Sequence, residues 1–209
     1  MFKSLEEAQS FCRKNGIEMV DFKMIDLSGR WRHLTIPVER FTEEVFTSGI
    51  GFDSSNYGYA PVEKSDMVFI PDLSTAFVEP FTQVPTLSMI GDVYVIDEPP
   101  RGFDQDPRTI AAKAEEYMRS IGVADMMKTG PEFEFYVFDH VSYEVSPHKT
   151  GYRIDVEQAI WNSGVDDRQN LGYKMPHKGG YHMTAPMDVL YDLRSRMARA
   201  LEERGVLVK

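Results

Sequence analysis

The segment TGPEFEFYVFD, residues 129–139, gives the clearest strand signal in the sequence and also raises a question of charge. Side chains of a β-strand alternate between two faces. One face of this segment is apolar and consists of Phe133, Phe135 and Val137. The other face presents Glu132 and Glu134, with backbone positions about 6.6 Å apart in an extended strand. We therefore predict a strand with a core face and a carboxylate face.

The two glutamates can be accommodated in more than one way. Two ionised carboxylates repel each other, and a buried one would take up a proton unless it were compensated. Arg or Lys partners, bulk water or a divalent cation would each supply that compensation. A solvated strand face is the simpler interpretation of the spacing. A cation site is the other, and oxygen ligands of this type suit Mg²⁺ or Mn²⁺ better than zinc.

The composition limits the classes of protein to be considered. The chain has 209 residues, a net charge of −10, 42% hydrophobic residues and 27% charged residues, which is typical of a folded globular protein. Nonspecific nucleic-acid binding is disfavoured, because it requires clustered basic residues. No apolar run is long enough for a membrane span, and the first 16 residues lack the apolar region of a secretory signal. With Cys12 as the one cysteine, we expect a soluble, cytoplasmic protein.

The first hundred residues predict a small α+β domain. A helix begins after Ser4 and stops at Gly16, and two β-rich runs around residues 27–29 predict a hairpin that ends at Pro37. Helical spacing follows up to Gly49, then short strands in MVFIPD and AFVEPF. TLSMIGDVYVID, residues 86–97, predicts a further pair of strands.

A linker separates this region from the remainder. Residues 97–108 contain three prolines, Pro99, Pro100 and Pro107, and Asp106 is placed to cap a helix that stops at Gly122. Residues 142–182 show little periodicity and predict long loops. An amphipathic helix follows, with its apolar positions at Leu190, Leu193, Met197, Ala200 and Leu201, and VLVK predicts the start of a strand.

Five segments, in order, resemble the glutamine synthetase family. They are FDSSNYGYAPVEKSDM, IPDLSTAFVEPF, DQDPRTIAAKAEEYM, GPEFEFYVFD and KGGYHMTAPMDVLYDLRSRM. The resemblance implies an α+β protein, with an N-terminal β-grasp domain (1–100) and the first part of a catalytic domain with a curved antiparallel sheet (101–209). It implies an ATP-dependent ligase that phosphorylates glutamate and lets ammonia displace the phosphate. Members use Mg²⁺ or Mn²⁺ and assemble as double-ring homo-oligomers, with active sites between neighbouring subunits.

The resemblance also implies roles for individual residues. Glu132 and Glu134 match metal-binding glutamates of the family. Tyr181 matches a tyrosine of its ammonium pocket, and Asp53 and Asp66 match aspartates that a neighbouring subunit contributes to that pocket. The resemblance gives these three residues catalytic roles in binding ammonium and taking its proton, and Ser55 matches the same pocket. Taken without the family, Asp53 is better interpreted as a turn cap, Asp66 could equally be a helix or turn cap, and Tyr181 could be a buried aromatic.

Two departures from the family pattern leave alternatives open. The loop FDSSNYGY is one residue shorter than the family's FDGSS loop and lacks its glycine, and His182 stands where an aromatic or apolar residue is usual. A different amine, as in γ-glutamyl-amide ligases, is therefore an alternative to ammonia. The chain is also shorter than family enzymes, so we expect the 209 residues alone to be inactive. A non-catalytic assembly or regulatory protein is the remaining alternative.

Overall fold

The computed structural model describes residues 2–97, 101–162 and 174–208. The chain forms two compact units, Met1–Lys128 and Thr129–Lys209, which are described separately here. Within the described ranges, no helix has the length and apolar character that are needed to cross a bilayer.

Among its described residues, the first unit contains a seven-stranded sheet and three α-helices. The helices are α1 (Leu5–Asn15), α2 (Glu44–Thr47) and α3 (Pro107–Ser120). The strands are β1 (Met19–Ile25), β2 (Trp31–Pro37), β3 (Ile50–Asp53), β4 (Asp66–Pro71), β5 (Phe77–Val78), β6 (Thr86–Val95) and β7 (Arg101–Gly102). The main order is β2-β1-β6-β4-β3, and β5 and β7 also pair with β6. β1 and β6 run parallel, whereas all other pairs are antiparallel.

Helix α1 begins and ends where its sequence predicts. The Ser4 hydroxyl accepts a hydrogen bond from the Glu7 N–H at 3.2 Å, and Gly16 terminates the helix with a φ of 63°. A positive φ of this size favours glycine because it has no Cβ. The helix buries Ala8 and Cys12 in the core of the unit. The strands contribute further large core side chains, namely Val20, Phe22, Met24, Met67, Phe69, Leu87, Met89 and Val93, and Phe41 and Tyr59 enter the core from outside the strands.

The predicted β1–β2 hairpin is confirmed, but the predicted strand pair in residues 86–97 is wrong. That segment forms the single ten-residue strand β6, which pairs with β1 on one side and β4 on the other. Gly91, which resembles a turn residue in the sequence, lies opposite Pro71 within the strand. A Cβ at this position would be 2.3 Å from the Ile70 carbonyl oxygen, so the glycine permits a close approach of two backbones.

Helix α3 is attached to the first unit by ion pairs. Its Asp106 cap accepts a hydrogen bond from the Thr109 N–H at 3.1 Å, as the sequence predicts. Arg108 donates from Nε to Asp92 at 2.7 Å and from Nη2 to Asp72 at 2.9 Å. This explains why the compact unit continues to Lys128, whereas the domain boundary at residue 100 stays a prediction.

The second unit contains an antiparallel hairpin, β8 (His140–Ser146) with β9 (Lys149–Asp155), and helix α4 (Tyr191–Glu202). The prediction that residues 142–182 are all loop is therefore wrong in its first part, and residues 163–173 lie outside the described residues. Asp155, with 1% of its surface exposed, accepts hydrogen bonds from the Asn162 side chain at 2.7 Å and the Trp161 side chain at 3.2 Å. Helix α4 confirms the predicted amphipathic helix.

Two strand predictions in this unit are wrong. Residues 129–138 have no regular secondary structure, and residues 206–208 after α4 have none either. The intended core residues Phe133 and Phe135 are 84% and 57% exposed. A strand requires a neighbour that pairs with its backbone, and within the described ranges residues 129–138 make no backbone hydrogen bond. Alternation of side chains alone does not provide that neighbour.

Candidate functional site

The register of two strands brings the predicted aspartates together. Strands β3 and β4 are antiparallel, and Asp53 lies directly opposite Asp66 at one end of the pair. Both residues are exposed. Like charges opposite each other across two strands destabilise the pairing. A small cation held by both carboxylates would relieve that repulsion.

The carboxylate of Asp53 is kept in its ionised form by its own turn. The Ser55 N–H donates to Asp53 Oδ1 at 2.9 Å. This backbone hydrogen bond, helped by the hydroxyls of Ser55 and Ser65, lowers the pKa of Asp53. Asp53 is thus a turn cap, as its sequence context suggested. The cap does not preclude a ligand role, because a carboxylate offers about four lone-pair positions.

The loop between β3 and β4, residues 54–65, is closed at its base and attached to the β1–β2 hairpin. Ser54, which is fully buried, donates to the Ser65 carbonyl from both its N–H and its hydroxyl, each at 2.8 Å. The Tyr59 hydroxyl donates to the carbonyl of Ile25 in β1. These contacts fix the ends of the loop that follows Asp53 and precedes Asp66.

The other predicted site residues lie in the second unit. Glu132 and Glu134 are both exposed, in the segment without regular structure. Tyr181 is 85% exposed, so the alternative that it is a buried aromatic is wrong. Its ring stacks on His182, with centroids 4.0 Å apart and planes 14° from parallel. His182, which differs from the usual residue of the family at this position, therefore places a second ring directly against Tyr181.

A hollow of about 470 Å³ lies beside Tyr181 and contains residues that sequence reasoning missed. Arg194 of α4 donates with both terminal nitrogens to the carboxylate of Asp188, with Nη1 at 2.9 Å from Oδ1. Gln158 donates to the Met187 carbonyl at 2.6 Å. Gln158 and Met187 are 29 residues apart, and Asp188 precedes the start of α4, so no spacing rule in the sequence would have paired these residues.

The residues present fit only part of a divalent-cation site. Carboxylate oxygens are the ligands that Mg²⁺ and Mn²⁺ prefer, and these ions take about six ligands. In the ranges that the structure describes, however, no three His, Cys, Asp or Glu side chains are grouped so that they could hold a metal. Glu132 and Glu134 could thus supply two carboxylates to a site that needs further ligands.

Comparison with known proteins agrees with this architecture. The family model described as glutamine synthetase, beta-Grasp domain, matches residues 16–96, and the model described as glutamine synthetase, catalytic domain, matches residues 104–209. A glutamine synthetase of Frankia alni is 41% identical over 213 residues, covering 100% of this chain and 44% of the relative. One from Aquifex aeolicus is 38% identical, covering 98% of this chain and 43% of the relative.

One relative has a different name. A 3-hydroxylaminophenol mutase of Cupriavidus pinatubonensis is 37% identical, covering 100% of this chain and 45% of the relative. The chain thus spans less than half the length of these curated relatives.

A solved structure shares the fold. The cryo-EM structure of Plasmodium falciparum glutamine synthetase matches with a TM-score of 0.83 at 24% identity, covering 100% of this chain and 41% of that chain. The predicted α+β fold class, with its N-terminal β-grasp domain, is confirmed. With both family models matched in sequence order over most of its length, the chain belongs to the glutamine synthetase family.

Proposed function

We propose that this chain is part of an ATP-dependent carbon–nitrogen ligase that joins ammonia to the γ-carboxylate of glutamate. The observation that supports the proposal most directly is the pair of opposed carboxylates, Asp53 and Asp66, in a chain of this family. In the reaction, ATP transfers its γ-phosphoryl group to the glutamate γ-carboxylate and leaves as ADP. Ammonia then attacks the acyl phosphate and releases inorganic phosphate, which yields glutamine.

The proposed roles follow from the chemistry of each side chain. Asp53 and Asp66 attract the ammonium cation, and one of them takes its proton so that the neutral amine can attack. Ser55 adds an oxygen acceptor beside Asp53, and the family pattern implies that Tyr181 of a neighbouring subunit adds another. Glu132 and Glu134 contribute to sites for Mg²⁺ or Mn²⁺, which when bound neutralises phosphate charge during phosphoryl transfer.

The proposal also covers the division of the chain into domains and the assembly of subunits. We assign residues 1–100 to the β-grasp domain and residues 101–209 to the first part of the catalytic domain. The family resemblance supports a cytoplasmic, double-ring homo-oligomer whose active sites lie between subunits. The net charge of −10 agrees with small-molecule substrates rather than nucleic acid.

A second candidate is a ligase of the same class that uses another amine. Two observations favour it: the loop FDSSNYGY departs from the family pattern, and its Asn56 is exposed next to Ser55. The relative named 3-hydroxylaminophenol mutase is almost as similar as the glutamine synthetases, so family membership alone does not select the reaction.

The test uses the intact protein, meaning the ligase of which we propose this chain to be a part. It measures the phosphate released from ATP in the presence of Mg²⁺, glutamate and each of a series of amines. We expect release that requires both glutamate and an amine, and a γ-glutamyl amide detected by mass spectrometry. The 209-residue chain alone should show none, because Glu132 and Glu134 supply only part of a metal site. An intact protein that binds its own copies but releases no phosphate with any amine would refute the ligase and support an assembly role.

A further inference from the structure

The loop that follows Asp53 is held from outside by an arginine on a different strand. Arg32 of β2 places its guanidinium carbon 5.4 Å from the centroid of the Tyr57 ring. A guanidinium at this distance from an aromatic face is attracted by the ring's quadrupole. Tyr57 belongs to residues 54–65, so this contact joins the β1–β2 hairpin to the middle of the loop.

The guanidinium of Arg32 is itself fixed. Its Nε donates to Asp26 Oδ2 at 2.9 Å. Asp26 is 2% exposed and also accepts from the Ser28 hydroxyl at 2.7 Å, the Ser28 N–H at 2.9 Å and the Arg30 N–H at 2.9 Å. Because three donors of its own turn hold this carboxylate, it gives Arg32 one defined anchoring point.

The contact reaches the candidate amine site through short links. Tyr57 stacks on Phe52, the residue before Asp53, with centroids 5.4 Å apart and planes 25° from parallel. The Tyr57 N–H donates to the Ser54 carbonyl at 3.0 Å. Ser55, which follows Ser54, donates its N–H to the Asp53 carboxylate at 2.9 Å. A shift of the Tyr57 ring therefore moves both the residue before Asp53 and the turn that orients its carboxylate.

We propose that Arg32 is a positioning residue for the amine site, which acts through the face of Tyr57 to fix the Asp53–Ser55 turn. Arg32 touches no substrate in this role. The part of the proposal that concerns amine affinity rests on the proposed function, whereas the part that concerns the turn does not.

The experiment uses the intact protein and two measurements. The first is hydrogen exchange of the backbone amides of residues 55–59, and the second is the KM for ammonium, with kcat, in the phosphate-release assay. We expect Arg32→Gln to speed exchange and to raise the KM about two- to fivefold, the range of a cation–π contact, with little change in kcat. Tyr57→Leu should also speed exchange and raise the KM. Tyr57→Phe, which keeps the ring, should leave exchange and KM at their wild-type values.

Arg30→Gln is the matched control. Arg30 lies in the turn that follows Asp26, two residues before Arg32. Its side chain is exposed and makes no hydrogen bond or ion pair within the described part of the chain. We expect it to leave exchange and KM unchanged. Equal effects of Arg30→Gln and Arg32→Gln would overturn the proposal, as would faster exchange in Arg32→Gln without a change in KM. If the unsubstituted protein releases no phosphate with any amine, the proposed function fails, and the exchange comparison alone then decides whether Arg32 positions the turn.

Discussion

At the residue scale, Asp53 combines a turn cap with a position opposite a second carboxylate. Its ionised form is favoured by the Ser55 N–H, and it lies across from Asp66 on the neighbouring strand. A structural cap and a cation ligand make different demands on the side chain. A cap needs only an oxygen acceptor, whereas attraction of an ammonium ion needs the negative charge. Asparagine separates the two, because it keeps the acceptor and removes the charge.

We expect Asp53→Asn in the intact protein to keep the fold and to raise the KM for ammonium about ten- to a hundredfold, the range of a lost charge-assisted hydrogen bond. Glu63→Gln is the control, since Glu63 is exposed in the same loop and makes no side-chain hydrogen bond or ion pair among the described residues. Steady-state phosphate release at varied ammonium concentration gives the KM of both variants. A KM for Asp53→Asn that equals that of Glu63→Gln would restrict Asp53 to capping.

The hydrogen bonds to Asp26 lead to a prediction about how the stability of the fold depends on pH. Hydrogen bonds from the Ser28 hydroxyl, the Arg30 N–H and the Arg32 side chain hold its pKa well below the usual value. A carboxyl group with a lowered pKa stabilises the fold above its unfolded pKa of about 3.9, and the contribution is lost as pH falls below that value.

The measurement compares urea midpoints of the wild type and Asp26→Asn from pH 7 to pH 3. We expect the wild type to be more stable at pH 5–7 and the difference to shrink below about pH 4. Glu63→Gln should show a small difference throughout. A difference for Asp26→Asn that stays constant down to pH 3 would contradict the proposed role of its charge.

At the element scale, the N-terminus of helix α3 offers a matched pair of substitutions. Asp106 is 2% exposed, and its burial raises its pKa in spite of the hydrogen bonds from Thr109. The side chain therefore acts as an acceptor whose charge is not favoured at this position. We expect Asp106→Ala to lower the free energy of unfolding by about 1 kcal/mol and Asp106→Asn, also a good cap, to cost much less. Urea denaturation of the two variants checks this, and equal losses would contradict it.

Strand β6 gives a second prediction at this scale. A Cβ on Gly91 would lie 2.3 Å from the backbone oxygen of Ile70, whereas one on Gly51 would meet nothing within 4 Å. We expect Gly91→Ala to lower the free energy of unfolding by about 1–3 kcal/mol, as overpacking does, and Gly51→Ala to have little effect. The urea midpoints of the two variants measure the contrast. Similar midpoints would mean that β4 and β6 can separate at no cost.

Elements with local signals could be predicted, and elements that depend on distant neighbours could not. The caps Ser4 and Asp106 locate α1 and α3 because a side-chain acceptor and a helix start are close in sequence. Gly91 has the sequence context of a turn but lies within a strand, and only the approach of β4 explains it. The β8–β9 hairpin has an alternation of apolar residues at Val141, Tyr143 and Val145, but the polar and charged residues around them weaken it as a strand signal.

At the scale of the whole molecule, the candidate site was predicted from family motifs rather than from geometry. The family motifs assign Asp53 and Asp66 to one pocket, but their direct opposition depends on the register of β3 with β4, which no local pattern of the sequence indicates. The link from Arg32 to Tyr57 likewise depends on how the hairpin packs against the loop. Glu132 and Glu134 keep their predicted roles as proposals, although the strand that was expected to present them is not formed in the structure.

The cation-binding role of Glu132 and Glu134 is the claim on which the ligase account depends most. Phosphoryl transfer from ATP requires divalent cations at the phosphates, and these residues are the chain's candidates for holding them. A suitable control must remove the same charge from exposed positions elsewhere. Glu116 and Glu202 meet this condition, since both are exposed and neither makes a side-chain hydrogen bond or ion pair in the described part of the chain.

The most direct measurement is calorimetric titration of the intact protein with Mn²⁺, comparing Glu132→Gln/Glu134→Gln with Glu116→Gln/Glu202→Gln. We expect the first double variant to lose at least one high-affinity site or to bind about a hundredfold more weakly, as loss of charged ligands implies. The second should titrate like the wild type. Identical Mn²⁺ binding by the wild type and both double variants would contradict the account.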